Sequence, residues 1–267
     1  MTKVGFIGCG NMGGALLKAV AEAIGGESIF ASDFFPEKAE SIAEETNATA
    51  CTNETIASQC DYIFLGVKPQ MMEELLIEIT PFLKKRTDRF ILVSMAAGLS
   101  AEAITNMCRE SFPVIRIMPN TPCKVGSGVI LYAPYGDVKA SELDDFEKIL
   151  KEAGIIDRIP ENMIDAASAV SGCGPAFVYM FIEALSDGGV LCGLPRDKAL
   201  RYAAQTVSGA AQMLLETNMH PGALKDAVTS PGGTTIAGVR ALEEGAFRAS
   251  AMNSVIKAYE RTLELKK

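Results

Sequence analysis

What most limits the fold of this chain is a stretch near its start: Val4-Gly5-Phe6-Ile7-Gly8-Cys9-Gly10-Asn11-Met12-Gly13-Gly14. Val4 to Ile7 is a short apolar run that reads as a buried strand. A helical pattern begins at Ala15, with Ala15, Leu16, Ala19 and Val20 on one face. Gly8-x-Gly10-x-x-Gly13 stands between them. Strand, glycine turn and helix in that order form the fingerprint of a dinucleotide-binding unit. Gly8 allows the tight turn, Gly10 lets backbone approach a pyrophosphate, and Gly13 lets the helix pack close to the strand. N–H groups at the helix start face the phosphates, and the helix dipole adds to the attraction.

Ile29 to Ser32 reads as the second strand, and Asp33 follows 20 residues after Gly13. A carboxylate at that spacing is expected to hold the adenine ribose hydroxyls. Its charge repels a 2′-phosphate, so the chemistry favours NADH over NADPH; Lys38 is the only cation nearby. Further on, Asn53 is a natural N-cap for a short helix. Asp61 to Val67 reads as a buried strand ended by Lys68-Pro69, because proline cannot continue it. Phe90 to Met95 ends in Ala96-Ala97-Gly98, and Val114 to Met118 ends in Pro119-Asn120-Thr121-Pro122. Strands alternating with helices predict a parallel, doubly wound α/β sheet of the Rossmann type. Such sheets bind ligands beyond the carboxyl ends of their strands. The unusual loops fall at those ends: Gly8–Gly13, Asp33, Val67-Lys68-Pro69, Ala96-Ala97-Gly98 and Met118–Pro122.

Gly128 to Ala133 and Ile155 to Ile159 read as later strands, and Pro160-Glu161-Asn162 as a domain boundary. Residues 1–160 then form the dinucleotide-binding domain and residues 161–267 an all-helical one. Ala166 to Ile182 lacks charge, but it is short for a membrane span and Gly172-Cys173-Gly174-Pro175 interrupts it. It reads as a buried or interface helix, with no membrane role. Pro195 to Thr217 is a long helix with Ala199, Ala203, Val207, Ala210 and Leu214 along one stripe.

A net charge of −8 and a pI near 4.9 leave no basic surface for nucleic acid. The seven cysteines include no C-x-x-C pair, and His220 is the single histidine, placed before Pro221-Gly222 as a turn residue. No metal site is expected from that set. Reduced, mostly buried thiols and no evident targeting segment point to a cytoplasmic protein.

A second glycine turn, Ser230-Pro-Gly-Gly-Thr-Thr235, feeds a helix start far along the chain. Its N–H groups and hydroxyls suit a small anion such as a carboxylate, while an ordinary loop with a threonine cap is the other reading.

Together, Gly5-Phe-Ile-Gly-x-Gly-x-Met12, Val67-Lys-Pro69, Arg116-x-Met-Pro-Asn120, Ser171-Gly-x-Gly-Pro175 and Leu224-Lys-Asp-x-Val-Thr-Ser-Pro-Gly-Gly-Thr-Thr235 resemble the 1-pyrroline-5-carboxylate reductase family over nearly the whole chain. The resemblance implies reduction of pyrroline-5-carboxylate to L-proline with NADP(H) or NAD(H). It also implies a Rossmann domain followed by a helical dimerisation domain, giving a homodimer, with dimers often assembled into a decamer. Ile7, Gly8, Cys9, Gly10, Asn11, Met12, Asn53, Val67, Lys68 and Ala97 match the family's cofactor contacts; Gly13, Asp33, Pro69 and Ala96 join them from the loop pattern. Gly233, Thr234 and Thr235 match its substrate loop, to which Ser230 and Gly232 belong, with Thr235 as the candidate catalytic residue. Ala227 replaces a residue that is polar in some relatives. Hydroxyacid dehydrogenases share the architecture but generally carry a catalytic lysine on the helix after the Gly-x-Gly segment, and none occurs between Lys151 and Lys198.

Overall fold

A computed structural model describes residues 2–265; the outermost limits of the two expected domains, at residues 1, 266 and 267, lie outside the described residues. The first six strands are β1 (Val4–Ile7), β2 (Ile29–Ser32), β3 (Thr49–Ala50), β4 (Tyr62–Leu65), β5 (Ile91–Ser94) and β6 (Val114–Pro119). They alternate with α1 (Asn11–Ile24), α2 (Pro36–Thr46), α3 (Asn53–Gln59), α4 (Met72–Leu83) and α5 (Ala101–Cys108). After them come β7 (Gly128–Tyr135), α6 (Ala140–Leu150), β8 (Gly154–Arg158) and α7 (Ile164–Ser171).

One sheet holds all eight strands in the order β3-β2-β1-β4-β5-β6-β7-β8. From β3 to β6 every pairing is parallel, and the order reverses between β1 and β4. The expectation of a wholly parallel sheet fails at β7, which runs antiparallel to β6 from Val114↔Tyr135 to Pro119↔Ile130. The link between them holds only the short turn Thr121–Val125, and a parallel crossover needs a dozen or more residues. β8 pairs parallel to β7.

Alternate residues of each strand feed opposite faces. Val4, Phe6, Tyr62, Phe64, Ile91 and Val93 pack with α1 and α6. Ile7, Ile63, Leu65 and Leu92 pack with α3, α4 and α5. Both clusters are close to fully buried, so the sheet positions its loop ends rigidly.

Beyond α7 come α8 (Gly174–Leu191), α9 (Arg196–Thr217), α10 (Pro221–Ala227), α11 (Thr234–Glu244) and α12 (Phe247–Glu264). By packing, Cys173–Ala258 forms a compact unit of its own, and α7 belongs with the sheet. Among the described residues of that unit only Ser186, Ala199 and Ala203 are buried. The expected stripe on α9 is therefore buried at Ala199 and Ala203 but not at Val207, Ala210 or Leu214. Burial of the uncharged Ala166–Ile182 segment is likewise not found along α8. Glu161–Leu191 is long and apolar enough to cross a membrane by length and composition, with 11% of its most apolar window buried.

Candidate active site

The glycine loop separates two kinds of glycine. Gly8 sits at φ +102°, and a Cβ there would come 2.7 Å from the backbone of Gly66. A Cβ on Gly13 would lie 2.0 Å from the Gly8 carbonyl oxygen. Both are therefore glycine because the fold leaves no room. Gly10 differs: its φ is −68°, and a Cβ there would meet nothing within 4 Å. No contact within the chain excludes a side chain at Gly10. The open approach to its backbone, at the uncapped start of α1, is what a phosphate group needs. The residues present fit a dinucleotide. α1 begins at Asn11, four residues before the expected start at Ala15, so Asn11, Met12 and Gly13 supply the first-turn N–H groups.

Neighbouring strand ends are stitched to this loop. Gly8 N–H donates to the Ser32 carbonyl at 2.8 Å, and Gly66 N–H donates to that of Ile7 at 2.7 Å. Cys9 N–H donates to Asp33 Oδ2 at 2.7 Å, and Phe35 N–H donates to Asp33 Oδ1 at 3.0 Å. Asp33 is thus fixed at the end of β2 and also holds the glycine loop. Asn53 is not the helix cap expected of it: Thr52 caps α3, accepting the Thr55 N–H, and Asn53 is the first helical residue. Its side chain turns inward instead, accepting from the Ser32 hydroxyl at 2.6 Å and donating to Glu78. The β4 strand ends at Leu65, short of the expected Val67. Val67 and Pro69 are half-buried and Lys68 is exposed; Ala96 is buried and Ala97 exposed at the end of β5. Glycine loop, Asp33, Asn53, Val67–Pro69 and Ala96–Ala97 therefore share the loop edge of β2, β1, β4 and β5.

The Cys9 thiol is pushed up to about 12, first by burial and then by the Asp33 carboxylate. It stays protonated near neutrality and is no nucleophile. All seven cysteines are free thiols. Among the described residues no group of three His, Cys, Asp or Glu could hold a metal ion.

The second glycine turn lies in the helical unit. Gly233 N–H donates to the Ser230 carbonyl at 3.1 Å, and a Cβ on Gly233 would strike Ser230 Oγ at 2.4 Å. Gly232 takes φ +67°. These two glycines shape a loop that leads directly into α11. Gly233 is the N-cap of that helix and no side chain caps it. Thr234 is its first residue and Thr235 its second, both exposed. The reading of Thr235 as a helix cap is thereby overturned. What remains is an exposed helix start with first-turn N–H groups and two hydroxyls, suited to a carboxylate. His220 caps α10 through Nδ1, which accepts the Gly222 N–H at 3.1 Å.

Sequence reasoning missed the partners of Arg116, which is 3% exposed on β6. Its guanidinium donates to Glu161 and Asp165, each at 3.2 Å. An arginine inside Val114–Met118 was the available signal, since a buried charge demands a counter-charge. Asn120, within the Arg116-x-Met-Pro-Asn120 motif, bonds through both ends of its amide. Its Nδ2 donates to the Ser171 carbonyl at 2.9 Å, and its Oδ1 accepts the Val129 N–H at 2.9 Å.

Comparison with known proteins matches two separate stretches of the chain. Residues 3–98 match the family described as NADP oxidoreductase coenzyme F420-dependent, and residues 161–265 match pyrroline-5-carboxylate reductase dimerisation. The pyrroline-5-carboxylate reductase of Escherichia coli (strain K12) is 41% identical, over 99% of this chain and 98% of its own. That of Methanosarcina acetivorans is 40% identical over the same shares. Among solved structures, the Plasmodium falciparum pyrroline carboxylate reductase with NADP bound is similar at TM-score 0.85 and 34% identity, covering 100% of this chain and 98% of that one. With identity at this level over whole chains, and a sheet and helices arranged as described, the chain belongs to the pyrroline-5-carboxylate reductase family.

Proposed function

We propose that this chain reduces 1-pyrroline-5-carboxylate to L-proline with NAD(P)H, the final step of proline synthesis. The observation that carries the reading is the open Gly10 beside glycines that the fold itself requires. Full-length identity to relatives named for this activity supports the same conclusion.

The nicotinamide cofactor, when bound, supplies the hydride. Around it, first-turn N–H groups at Asn11, Met12 and Gly13 hold the pyrophosphate. Asp33 meets the adenine ribose diol, and its charge favours NADH over NADPH. Asn53, held by Ser32 and Glu78, and Val67, Lys68, Pro69, Ala96 and Ala97 complete the cofactor side. In the helical unit, Ser230, Gly232, Gly233 and Thr234 hold the substrate carboxylate at the start of α11. The Thr235 hydroxyl orients the ring at its nitrogen. A protonated imine nitrogen makes its carbon electrophilic. As the new C–H bond forms, the C=N π pair becomes the amine lone pair and the positive charge disappears. The Thr235 hydroxyl serves the proton exchange of that nitrogen. No nucleophile is required of the protein.

The finer assignments belong to the same reading. Residues 1–160 serve the cofactor, and residues 161–267 serve substrate and dimerisation. Apolar residues left exposed on α8 and α9, such as Met180, Leu200 and Leu215, fit burial against a second copy better than lipid, because the family match over 161–265 is to a dimerisation region. Dimers assemble further into a decamer, which sedimentation velocity would resolve. Free thiols fit a reducing cytoplasm.

Steady-state oxidation of NADH and NADPH with pyrroline-5-carboxylate, beside a panel of hydroxyacids, tests the reading. Turnover on the imine alone is expected. Turnover on a hydroxyacid with NAD(P)⁺, and none on the imine, would overturn it.

A further inference from the structure

Arg116 and Asn120 lie four residues apart on β6 and its extended continuation, where Asn120 has φ −120° and ψ 166°. Residues of equal parity on a strand point to one face. Both side chains reach the same helix. Arg116 takes its beginning, through Asp165 and through Glu161 in the turn before it. Asn120 takes its end, through the Ser171 carbonyl. Four strand residues span about 13 Å, and the six helical steps from Asp165 to Ser171 span about 9 Å. The spacing on the strand thus suits two ends of one short helix.

Each anchor is also tied elsewhere. Glu161 Oε1 accepts the Ala101 N–H at 2.8 Å, where α5 begins after the β5 loop. Asn120 Oδ1 accepts the Val129 N–H and so holds the first residues of β7. Arg116 and Asn120 are both buried, so their bonds are partly shielded from water. Such connectivity exceeds what is needed to keep α7 on the sheet, because it joins the β5 loop, the end of β6, the start of β7 and the last turn of α7.

The start of β7 and the last turn of α7 are thus held at the carboxyl end of β6, which pairs beside β5. In a sheet of this order the dinucleotide lies across the carboxyl ends of the strands at the reversal. With Asp33 marking the ribose at β2 and the glycine loop marking the pyrophosphate at β1, the remaining half extends over β4 and β5 toward β6. We infer that Asn120 is a positioning residue for hydride transfer: by fixing the Ser171 carbonyl and the start of β7, it sets the wall at the nicotinamide end. Arg116 holds the other end of the same helix. This inference rests on the reductase reading above.

The test uses Asn120→Asp and Asn120→Ala in the full-length enzyme. The aspartate is nearly isosteric and keeps the acceptor for Val129 while losing the donor to Ser171; the alanine loses both. Displacing reacting groups by about an ångström costs up to about 100-fold. A fall in kcat of about tenfold or more is expected for each variant at temperatures well below its melting point. The KM for NAD(P)H should change less than about twofold, since Asn120 lies away from the ribose and pyrophosphate contacts. The kinetic isotope effect with 4-deuterated cofactor should rise as the chemical step becomes limiting. Either variant that folds suffices. A lower melting temperature with unchanged kcat and isotope effect would overturn the inference and leave Asn120 a packing residue. Wild-type turnover, measured alongside, separates the two readings: none on pyrroline-5-carboxylate overturns the reductase assignment and the inference together, whereas normal turnover in wild type and variants overturns the inference alone.

Discussion

The sheet unit differs from the long helices of the helical unit in what accounts for its glycines. In the sheet unit, a Cβ on Gly5 would strike Ile56, one on Gly13 the Gly8 carbonyl, and one on Gly66 the same oxygen. The chain itself supplies the reason, apart from Gly10. On the long helices the reason is missing: Gly188 in α8, Gly209 in α9 and Gly238 in α11 would each carry a Cβ into open space. Glycine inside an exposed helix costs about 1 kcal/mol relative to alanine. Close packing against another copy would account for glycine there, and residues 161–265 match a dimerisation region. The two cores differ in parallel. The sheet buries Phe6, Phe64, Tyr132 and Phe146 completely or nearly so, while the helical unit leaves Tyr179, Met180 and Leu191 exposed. One unit is finished within the chain; the other, which matches a dimerisation region, leaves apolar surface that an oligomer would cover.

The largest effect should come from the sheet unit. Arg116→Ala removes the buried guanidinium that donates to both Glu161 and Asp165. Breaking a buried ion pair on one side costs about 3–5 kcal/mol. Denaturant unfolding should show a loss of that size, and a loss under about 1 kcal/mol would mean the site is wetter than its burial indicates.

Next is Thr235→Ala in the helical unit. With Gly233 as the cap, the substitution removes no capping bond, so stability should hardly change. Losing a polar contact made in the transition state costs about 10²–10³ in kcat. Turnover should fall by that factor while NAD(P)H affinity, measured by fluorescence titration, stays near normal; Thr235→Ser should keep most activity. Near-normal kcat in the alanine variant would remove Thr235 from the chemistry.

Much of the sheet unit was legible because its rules are local. Val4–Ile7 and Ile29–Ser32 were read to the residue, since apolar runs bounded by glycine or Asp33 leave little freedom. The reversal at β7 was not, because strand direction depends on the length of a link and not on the strand's own residues. Asn53 was misread for a related reason: its neighbour Thr52 competes for the same cap, and only the tertiary bond to Ser32 decides between them. On the site, the glycine pattern predicted the open turn that leads into α1. The Arg116 partners lie 45 and 49 residues away, beyond any periodic signal. The exposed apolar faces of α8 and α9 were not legible, because one chain's hydropathy does not separate burial within the chain from burial against another molecule.

A smaller effect sharpens the contrast by its sign. If Gly209 faced only solvent, a leucine there would favour the helix by up to about 1 kcal/mol. If a partner's backbone passes close, Gly209→Leu should instead weaken the dimer by about tenfold or more, roughly 1.4 kcal/mol. Sedimentation equilibrium decides, and a dimer of unchanged or greater affinity would leave that glycine unexplained.

The smallest change is in cofactor choice. Asp33→Ser removes a charge that opposes a 2′-phosphate, so kcat/KM for NADPH relative to NADH should rise about tenfold. Equal effects on both cofactors would confine Asp33 to bracing Cys9 in the glycine loop.

The central step is hydride transfer from a nicotinamide nucleotide to the carbon of a cyclic imine. The most direct measurement follows the hydrogen itself. With 4-deuterated NADH or NADPH of the transferable configuration and pyrroline-5-carboxylate, mass spectrometry should find proline about one mass unit heavier, with the deuterium on the former imine carbon. Oxidised cofactor accompanied by unlabelled proline, or by no proline, would contradict the account.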